Sequence, residues 1–292
     1  MRIGVEPITR PRTNARTMRT SAPVTRVVLV LAKAPVAGRV KTRLTTATTP
    51  TGAAGIAAAA LLDTLEAAGA VRDAAVLVAL EGDPADAQRH DEIAAALAGT
   101  VVVPQRGDTL GERITAAHED VADTFPGAVS VQIGMDTPQV DAALLADALD
   151  LVATAADAAL GLALDGGWWA LALADPRRAA LIADVPTSCG DTGARTLAEL
   201  RAGHEGLRPD RVLELPALSD VDTPDDALAV ADLVPTGRFA RAVADALPPT
   251  GSGSAPLRRP AAGSSSASLR LPTAGSSSAS MRLPAAPGGL PR

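Results

Sequence analysis

Val27-Val28-Leu29-Val30-Leu31-Ala32-Lys33-Ala34-Pro35-Val36-Ala37-Gly38-Arg39-Val40-Lys41-Thr42-Arg43 reads as a strand that runs straight into a basic loop. Val27–Ala32 is continuously apolar and of strand length, the pattern of a strand covered on both faces. After the loop, Thr51–Ala68 is Ala-rich with apolar residues at helical spacing. Strand, loop and helix in this order form the unit of a parallel sheet, where ligands bind beyond the carboxyl ends of the strands. The fold and the place to look for a site both follow from this stretch.

Outward from it the alternation continues. Strands are expected at Ala74–Leu80, Thr100–Val103, Ala128–Ile133, Ala158–Leu164, Trp168–Leu173 and Arg211–Leu215. Helices are expected at Pro84–Leu97, Leu110–Thr124, Asp141–Ala155, Asp191–Ala202 and Pro224–Leu233. Gly166-Gly167 joins two of the strands directly. Most of the others are separated by a helix, which predicts an α/β domain: a mostly parallel, Rossmann-like sheet with helices on both faces.

Composition bounds the rest. The chain has 292 residues and a net charge of -6. No run approaches the roughly 20 apolar residues of a membrane span. A single cysteine, Cys189, excludes a disulfide framework and a cysteine zinc site, and reads as a small core residue. His90, His118 and His204 all lie in polar stretches and suggest no histidine metal site. With two Trp, two Phe and no Tyr, the core must be Ala, Val and Leu, and stacking surfaces for single-stranded nucleic acid are nearly absent.

The ends differ from the middle. Residues 1–25 are a basic arm with no apolar segment of the secretory type, read as disordered. Residues 248–292 are rich in Pro, Gly and Ser, and Ala-Gly-Ser-Ser-Ser-Ala-Ser recurs at 262–268 and 274–280. Such a segment buries too little apolar surface to offset chain entropy and is expected to be a disordered tail. The predicted domain is therefore 26–247. Lack of a secretory pattern and of paired cysteines points to the cytoplasm, and the bias to Ala and Arg to a GC-rich bacterial genome.

Three motifs carry chemistry. Lys33, Arg39, Lys41 and Arg43 put four cations within eleven residues of a net-acidic chain, with Gly38 among them. Lys33 and Lys41 are the only lysines beside 25 arginines. Cations, free backbone N–H groups and a following helix suit the oxygens of a nucleotide diphosphate. The loop lacks the spacing of a P-loop, and no Gly-x-Gly-x-x-Gly fingerprint is present. Asp136-Thr137-Pro138 and Asp222-Thr223-Pro224 repeat one tripeptide after strands. A strand-end carboxylate can ligate Mg²⁺ or Mn²⁺, while Thr223 with Pro224 also reads as a helix start. In Asp165-Gly166-Gly167-Trp168-Trp169 the Gly pair lets backbone approach a ligand beside a carboxylate and two rings.

Taken in order, residues 31–44, Gly107–Arg113, Ile133–Pro138, Asp165–Trp169 and Asp220–Pro224 resemble the DUF2064 group of the GT-A glycosyltransferase superfamily. The resemblance implies a GT-A-like fold, a nucleotide-diphospho-sugar donor, a small-molecule acceptor and a divalent cation, Mg²⁺ or Mn²⁺. On it, Lys33, Gly38, Arg39, Lys41 and Arg43 bind the nucleotide phosphates. Asp136 and Asp222 hold the metal. Gly111, Arg113, Gly166, Gly167 and Trp168 line the donor and acceptor pocket, and Asp165 faces the transferred sugar as the catalytic carboxylate. Met135 stands where that group usually has a small Ser or Thr. Two other readings remain open at this stage. One is a nucleotidyltransferase taking a nucleoside triphosphate on the same fold, and the other is a non-catalytic nucleotide-binding or scaffold protein.

Overall fold

The structure is a computed structural model that describes residues 25–203 and 207–247. The basic arm, His204 and the repeat-bearing tail lie outside the described residues. Seven strands form one sheet: β1 Arg26–Lys33, β2 Ala75–Glu81, β3 Val101–Pro104, β4 Val129–Gly134, β5 Ala158–Ala163, β6 Trp168–Leu173 and β7 Val212–Leu218. Their spatial order is β3-β2-β1-β4-β6-β5-β7. All pairings are parallel except those of β6, which runs against both β4 and β5. The expected mostly parallel sheet is therefore present, and the Gly166-Gly167 pair does close a β5–β6 hairpin.

Helices α1 Pro50–Gly69, α2 His90–Leu97, α3 Leu110–Thr124, α4 Ala142–Thr154, α5 Thr192–Arg201, α6 Pro224–Leu233 and α7 Arg238–Ala246 cover the sheet. One face of β1, β2 and β4 (Val28, Val30, Val76, Val78, Val131, Ile133) packs on α1, α2 and α4. The opposite face of β1 and β2 (Val27, Leu29, Leu77, Ala79) packs on α3. The far half of the sheet, through Leu160, Leu171 and Leu173, packs on α5 and on a 3-10 helix at Pro176–Ile182. Strands buried on both faces are why their sequences are unbroken apolar runs.

Two elements depart from the sequence reading. The helix expected at Pro84–Leu97 is a short 3-10 turn at Pro84–Asp86 followed by α2, because Arg89 takes a left-handed φ of 57° and starts a new helix. Helix α7 was not anticipated, since only Phe239 and Val243 are buried among its charged residues. Those two side chains join Ile56 and Ala60 of α1 and Val230 of α6 in a separate apolar cluster. Helix α1 is thus sandwiched between the sheet and α6–α7, which is why it is apolar nearly all round.

His118 is fully buried in α3, against the expectation from its polar surroundings in sequence. Its Nε2 lies 2.9 Å from Gln132 Oε1 and its Nδ1 3.4 Å from Ser130 Oγ. Burial lowers its pKa to about 4, only partly offset by Gln132, so the ring is neutral at physiological pH.

Gly161 shapes the β5–β6 hairpin. A Cβ there would lie 2.4 Å from Nε1 of the Trp169 indole, whose N–H donates to the Pro216 carbonyl at 2.9 Å. The ring lies against the β5 backbone and ties β6 to β7. Gly161→Ala is expected to destabilise the fold by about 1–3 kcal/mol through forced repacking, read as a lower urea midpoint with an unchanged denaturant slope.

Candidate active site

The connections run from β1 outward to β2 and β3, then return to place β4 on the other side of β1. This reversal opens a crevice between the carboxyl ends of β1 and β4, the usual ligand position in such sheets. On one side of it lies the basic loop. Its Lys33, Arg39, Lys41 and Arg43 line a recess of about 280 Å³ with Met135, Asp136 and Asp222. The Lys33 backbone N–H points at the Met135 sulfur, 3.3 Å away. The recess adjoins a cleft of about 630 Å³ whose lining includes Glu81, Gln105, Arg113, Asp165, Trp168 and Asp220.

Lys41 sits where the two sides meet. Its backbone is left-handed, φ 47° and ψ 41°, a conformation that costs energy in a non-glycine residue. Its side chain is only 9% exposed, and its ammonium lies 2.8 Å from Asp136 Oδ2 and 3.4 Å from Asp222 Oδ1. The same ammonium donates to the Val221 carbonyl. Burial works to lower the Lys41 pKa, but the charges and hydrogen bonds of Asp136 and Asp222 outweigh it and hold the group above its usual value. Arg43 reaches Asp222 Oδ2 at 2.6 Å from an exposed position.

The carboxylates are placed by backbone. Val221 N–H donates to the Asp136 carbonyl at 3.1 Å, and the Gln139 side chain donates to the Ser219 carbonyl, so the loops after β4 and β7 are laced together. Thr223 caps α6 in a reciprocal box with Asp226, with Pro224 in the first turn. The helix-start reading of Thr-Pro-Asp-Asp is therefore correct, and it leaves the Asp222 side chain facing the recess.

At the other end, Glu81 lies between Lys33 Nζ at 3.0 Å and an Arg113 guanidinium nitrogen at 2.9 Å. The Lys33 hydrogen bond leads in holding the Glu81 carboxyl below the usual range, against an opposing effect of burial. Gln105 anchors its amide by donating to the Ala32 and Ala79 carbonyls at 2.7 and 3.1 Å. Asp165 accepts from the Gly167 N–H at 2.8 Å, the local bond of the hairpin turn. Asp220 is raised to about 6 by burial first, then by the repulsion of Asp165 and Asp222, with Lys41 offsetting part of it.

The structure thus brings Lys33, Arg39, Lys41, Arg43, Asp136 and Asp222 to one recess, and Arg113, Asp165, Gly167 and Trp168 to the adjoining cleft. Gly38 supplies a left-handed turn, φ 77°, within the basic loop. Gly111 and Gly166 are not on the cleft lining. A Cβ at Gly111 would lie 2.0 Å from the Ala183 carbonyl oxygen, and one at Gly166 1.9 Å from that of Gly190. Both glycines serve close backbone approach. Cys189 is exposed rather than buried in the core, on the loop that Gly166 packs against. Sequence reasoning missed Glu81 and Gln105. Their signal was position, immediately at or after the carboxyl ends of β2 and β3.

Among the described residues no cluster of three or more His, Cys, Asp or Glu is arranged to hold a metal ion. Asp136 and Asp222 do converge on one cationic nitrogen, so a cation fits between them. Two carboxylates with the remaining positions left to water or ligand oxygens match the coordination habits of Mg²⁺.

Comparison with known proteins bears on the family and the fold. Residues 64–189 match the model of a family described as "Uncharacterized protein conserved in bacteria (DUF2064)", the group that the sequence motifs resemble. The matched segment holds Asp136 and Asp165 and excludes the basic loop and Asp222. A crystal structure from Desulfovibrio desulfuricans G20, provisionally designated a nucleotide-diphospho-sugar transferase, superposes with TM-score 0.61 at 24% identity over 74% of this chain and 97% of that one. It shows that the two share a fold. A homolog of Mycobacterium tuberculosis Rv0371c from Mycobacterium sp. strain JC1 aligns at TM-score 0.46 and 19% identity over 73% of this chain and 99% of that one. A 4-diphosphocytidyl-2C-methyl-D-erythritol synthase aligns at TM-score 0.46 and 14% identity over 73% of this chain and all of the other, 100%. No curated protein matches the sequence. No helix among the described residues is long and apolar enough to cross a membrane.

The Asp220 environment makes a testable statement about stability. A folded pKa of about 6 exceeds the ~3.9 of an unfolded aspartate. The folded chain then binds more protons than the unfolded chain between these values, and its stability falls as pH rises through that window. Asp220→Asn is expected to be more stable than wild type by about 1–2 kcal/mol near pH ~7.5, after discounting for partial exposure, and to show no such gain near pH ~4. Urea denaturation at the two pH values checks it.

Proposed function

We propose that the chain is a cation-dependent glycosyltransferase that moves a sugar from a nucleotide-diphospho-sugar to a small-molecule acceptor. The observation that carries this reading is the meeting, across the β1–β4 crevice, of a four-cation loop with Asp136 and Asp222. A diphosphate needs positive charge on several oxygens at once, and the recess supplies it from Lys33, Arg39 and Arg43 around the Gly38 turn. Asp136 and Asp222 would hold the divalent cation. That ion, when bound, offsets charge on the departing diphosphate.

The adjoining cleft has the volume and chemistry for the sugar and acceptor. Trp168 offers an apolar face, and Asp165 and Asp220 offer two carboxylates. Asp165 is the proposed catalytic group, taking the proton of the acceptor hydroxyl as the new bond forms. Asp220, held protonated more readily than an ordinary aspartate, can donate a hydrogen bond beside it. Glu81 and Gln105 line the cleft at the far side of Lys33. The resemblance of the motifs and the shared fold support the donor class. The acceptor-side chemistry rests on Asp165 alone.

Isothermal titration with a panel of nucleotide-sugars and nucleoside triphosphates, with Mg²⁺ or Mn²⁺ and then with chelator, tests the reading. One nucleotide-sugar is expected to bind preferentially and to lose at least about tenfold in affinity with Asp136→Ala or with chelator. A preference for a triphosphate would assign the nucleotidyltransferase reaction instead, and absence of binding by every member would overturn both. With the donor identified, Asp165→Asn is expected to leave donor affinity within about threefold and to lower turnover by about 10²-fold or more.

A further inference from the structure

The recess holds a conflict of roles. If Asp136 and Asp222 are a cation pair and Lys41 a phosphate ligand, each should be free for its ligand, yet they are bonded to one another. The Lys41 ammonium has three N–H donors, and three acceptors surround it: Asp136, Asp222 and the Val221 carbonyl. None is left for a phosphate. Its side chain is 9% exposed, against 42% for Lys33 and 73% for Arg43.

We propose that Lys41 is the resident counter-ion of the Asp136–Asp222 pair and bars a divalent cation from it while no anionic ligand is bound. The inference rests on reading those two aspartates as a cation pair. Charge counting supports it. Two carboxylates carry two negative charges, and the two cations bonded to them, Lys41 and Arg43, carry two positive ones, so this four-residue cluster is balanced as it stands. A divalent cation entering alone would leave two uncompensated positive charges within a few ångströms of each other, in a partly buried place where such repulsion is poorly screened. A cation entering with a diphosphate brings its own compensation, and Lys41 can then pass from carboxylate to phosphate oxygen. Lys41 carries this inward side chain on a left-handed backbone, between buried Val40 and exposed Thr42.

The test uses the full chain without nucleotide, and Mn²⁺ as probe. Binding read by electron paramagnetic resonance is expected to be weaker than millimolar for wild type and for Lys41→Arg, which keeps a cation in place. It is expected to tighten at least about tenfold in Lys41→Gln, and to be lost again in Lys41→Gln with Asp136→Asn. Stoichiometric Mn²⁺ binding by wild type, or no gain in a folded Lys41→Gln, would overturn the proposal.

A second measurement needs no variant at position 41. The chain has two lysines, so ¹⁵N-lysine labelling gives at most two ammonium resonances, assigned with Lys33→Arg. The Lys41 signal is expected to persist unchanged through millimolar Mg²⁺ and to move when inorganic pyrophosphate is added with it. Displacement by Mg²⁺ alone would overturn the proposal. A signal that resists Mg²⁺ and also ignores pyrophosphate would support the counter-ion role while removing the diphosphate reading of the loop.

Discussion

The reversal of strand order at β1, with β2 and β3 on one side and β4 on the other, is the constraint on which the site depends. Six of the seven strands run one way, so the loops that follow them collect on one rim of the sheet. Because β2 and β3 go to one side of β1 and β4 to the other, the loops after β1 and β4 part instead of packing together. What fills that gap is charge. The basic loop comes from one strand and the carboxylates from two others.

The core that permits this is rich in small residues. Ala53, Ala54, Ala57, Ala58 and Ala60 are all buried in α1, interspersed with Ile56, Leu61, Leu62 and Leu65, which fill the contacts to α7 and to the sheet. Close approach occurs at the site, where Gly161 lies against an indole and Gly166 against the Gly190 carbonyl. With few aromatics in the chain, Trp169 packs into the core on one face and Trp168 against the other, and both reach the cleft lining. Alternation along β6 puts adjacent rings on opposite faces, and that is how one dipeptide serves both.

Charge in the cleft is graded. Lys33 and Arg113 with the one carboxylate of Glu81 form a net positive group at one end, Lys41 and Arg43 with Asp136 and Asp222 a balanced one at the centre, and Asp220 with Asp165 an acidic end. A donor whose diphosphate lies at the centre would direct its sugar toward that acidic end, where positive character on a reacting sugar is best tolerated. The cleft therefore has a polarity that matches the direction of the proposed reaction.

Much of this was legible in the sequence. Unbroken apolar runs of strand length announced the parallel sheet, because only a strand covered on both faces can be apolar at every position. Four cations after the first strand and repeated Asp-Thr-Pro pointed to loops that the structure brings to one recess, since position after a strand is a local property. Helix α7 was hidden because its two buried residues have meaning only against α1 and α6. The burial of His118 was hidden for the same reason, its partners Gln132 and Ser130 lying on a strand beneath it. Gly111 and Gly166 looked like pocket residues, whereas the atoms they accommodate belong to distant segments. Above all, composition showed that Lys41 and two aspartates were present, and only the tertiary structure decided that they meet. The residues are 95 and 181 positions apart in the chain, and an ion pair at that separation is set by strand order, which no local pattern encodes.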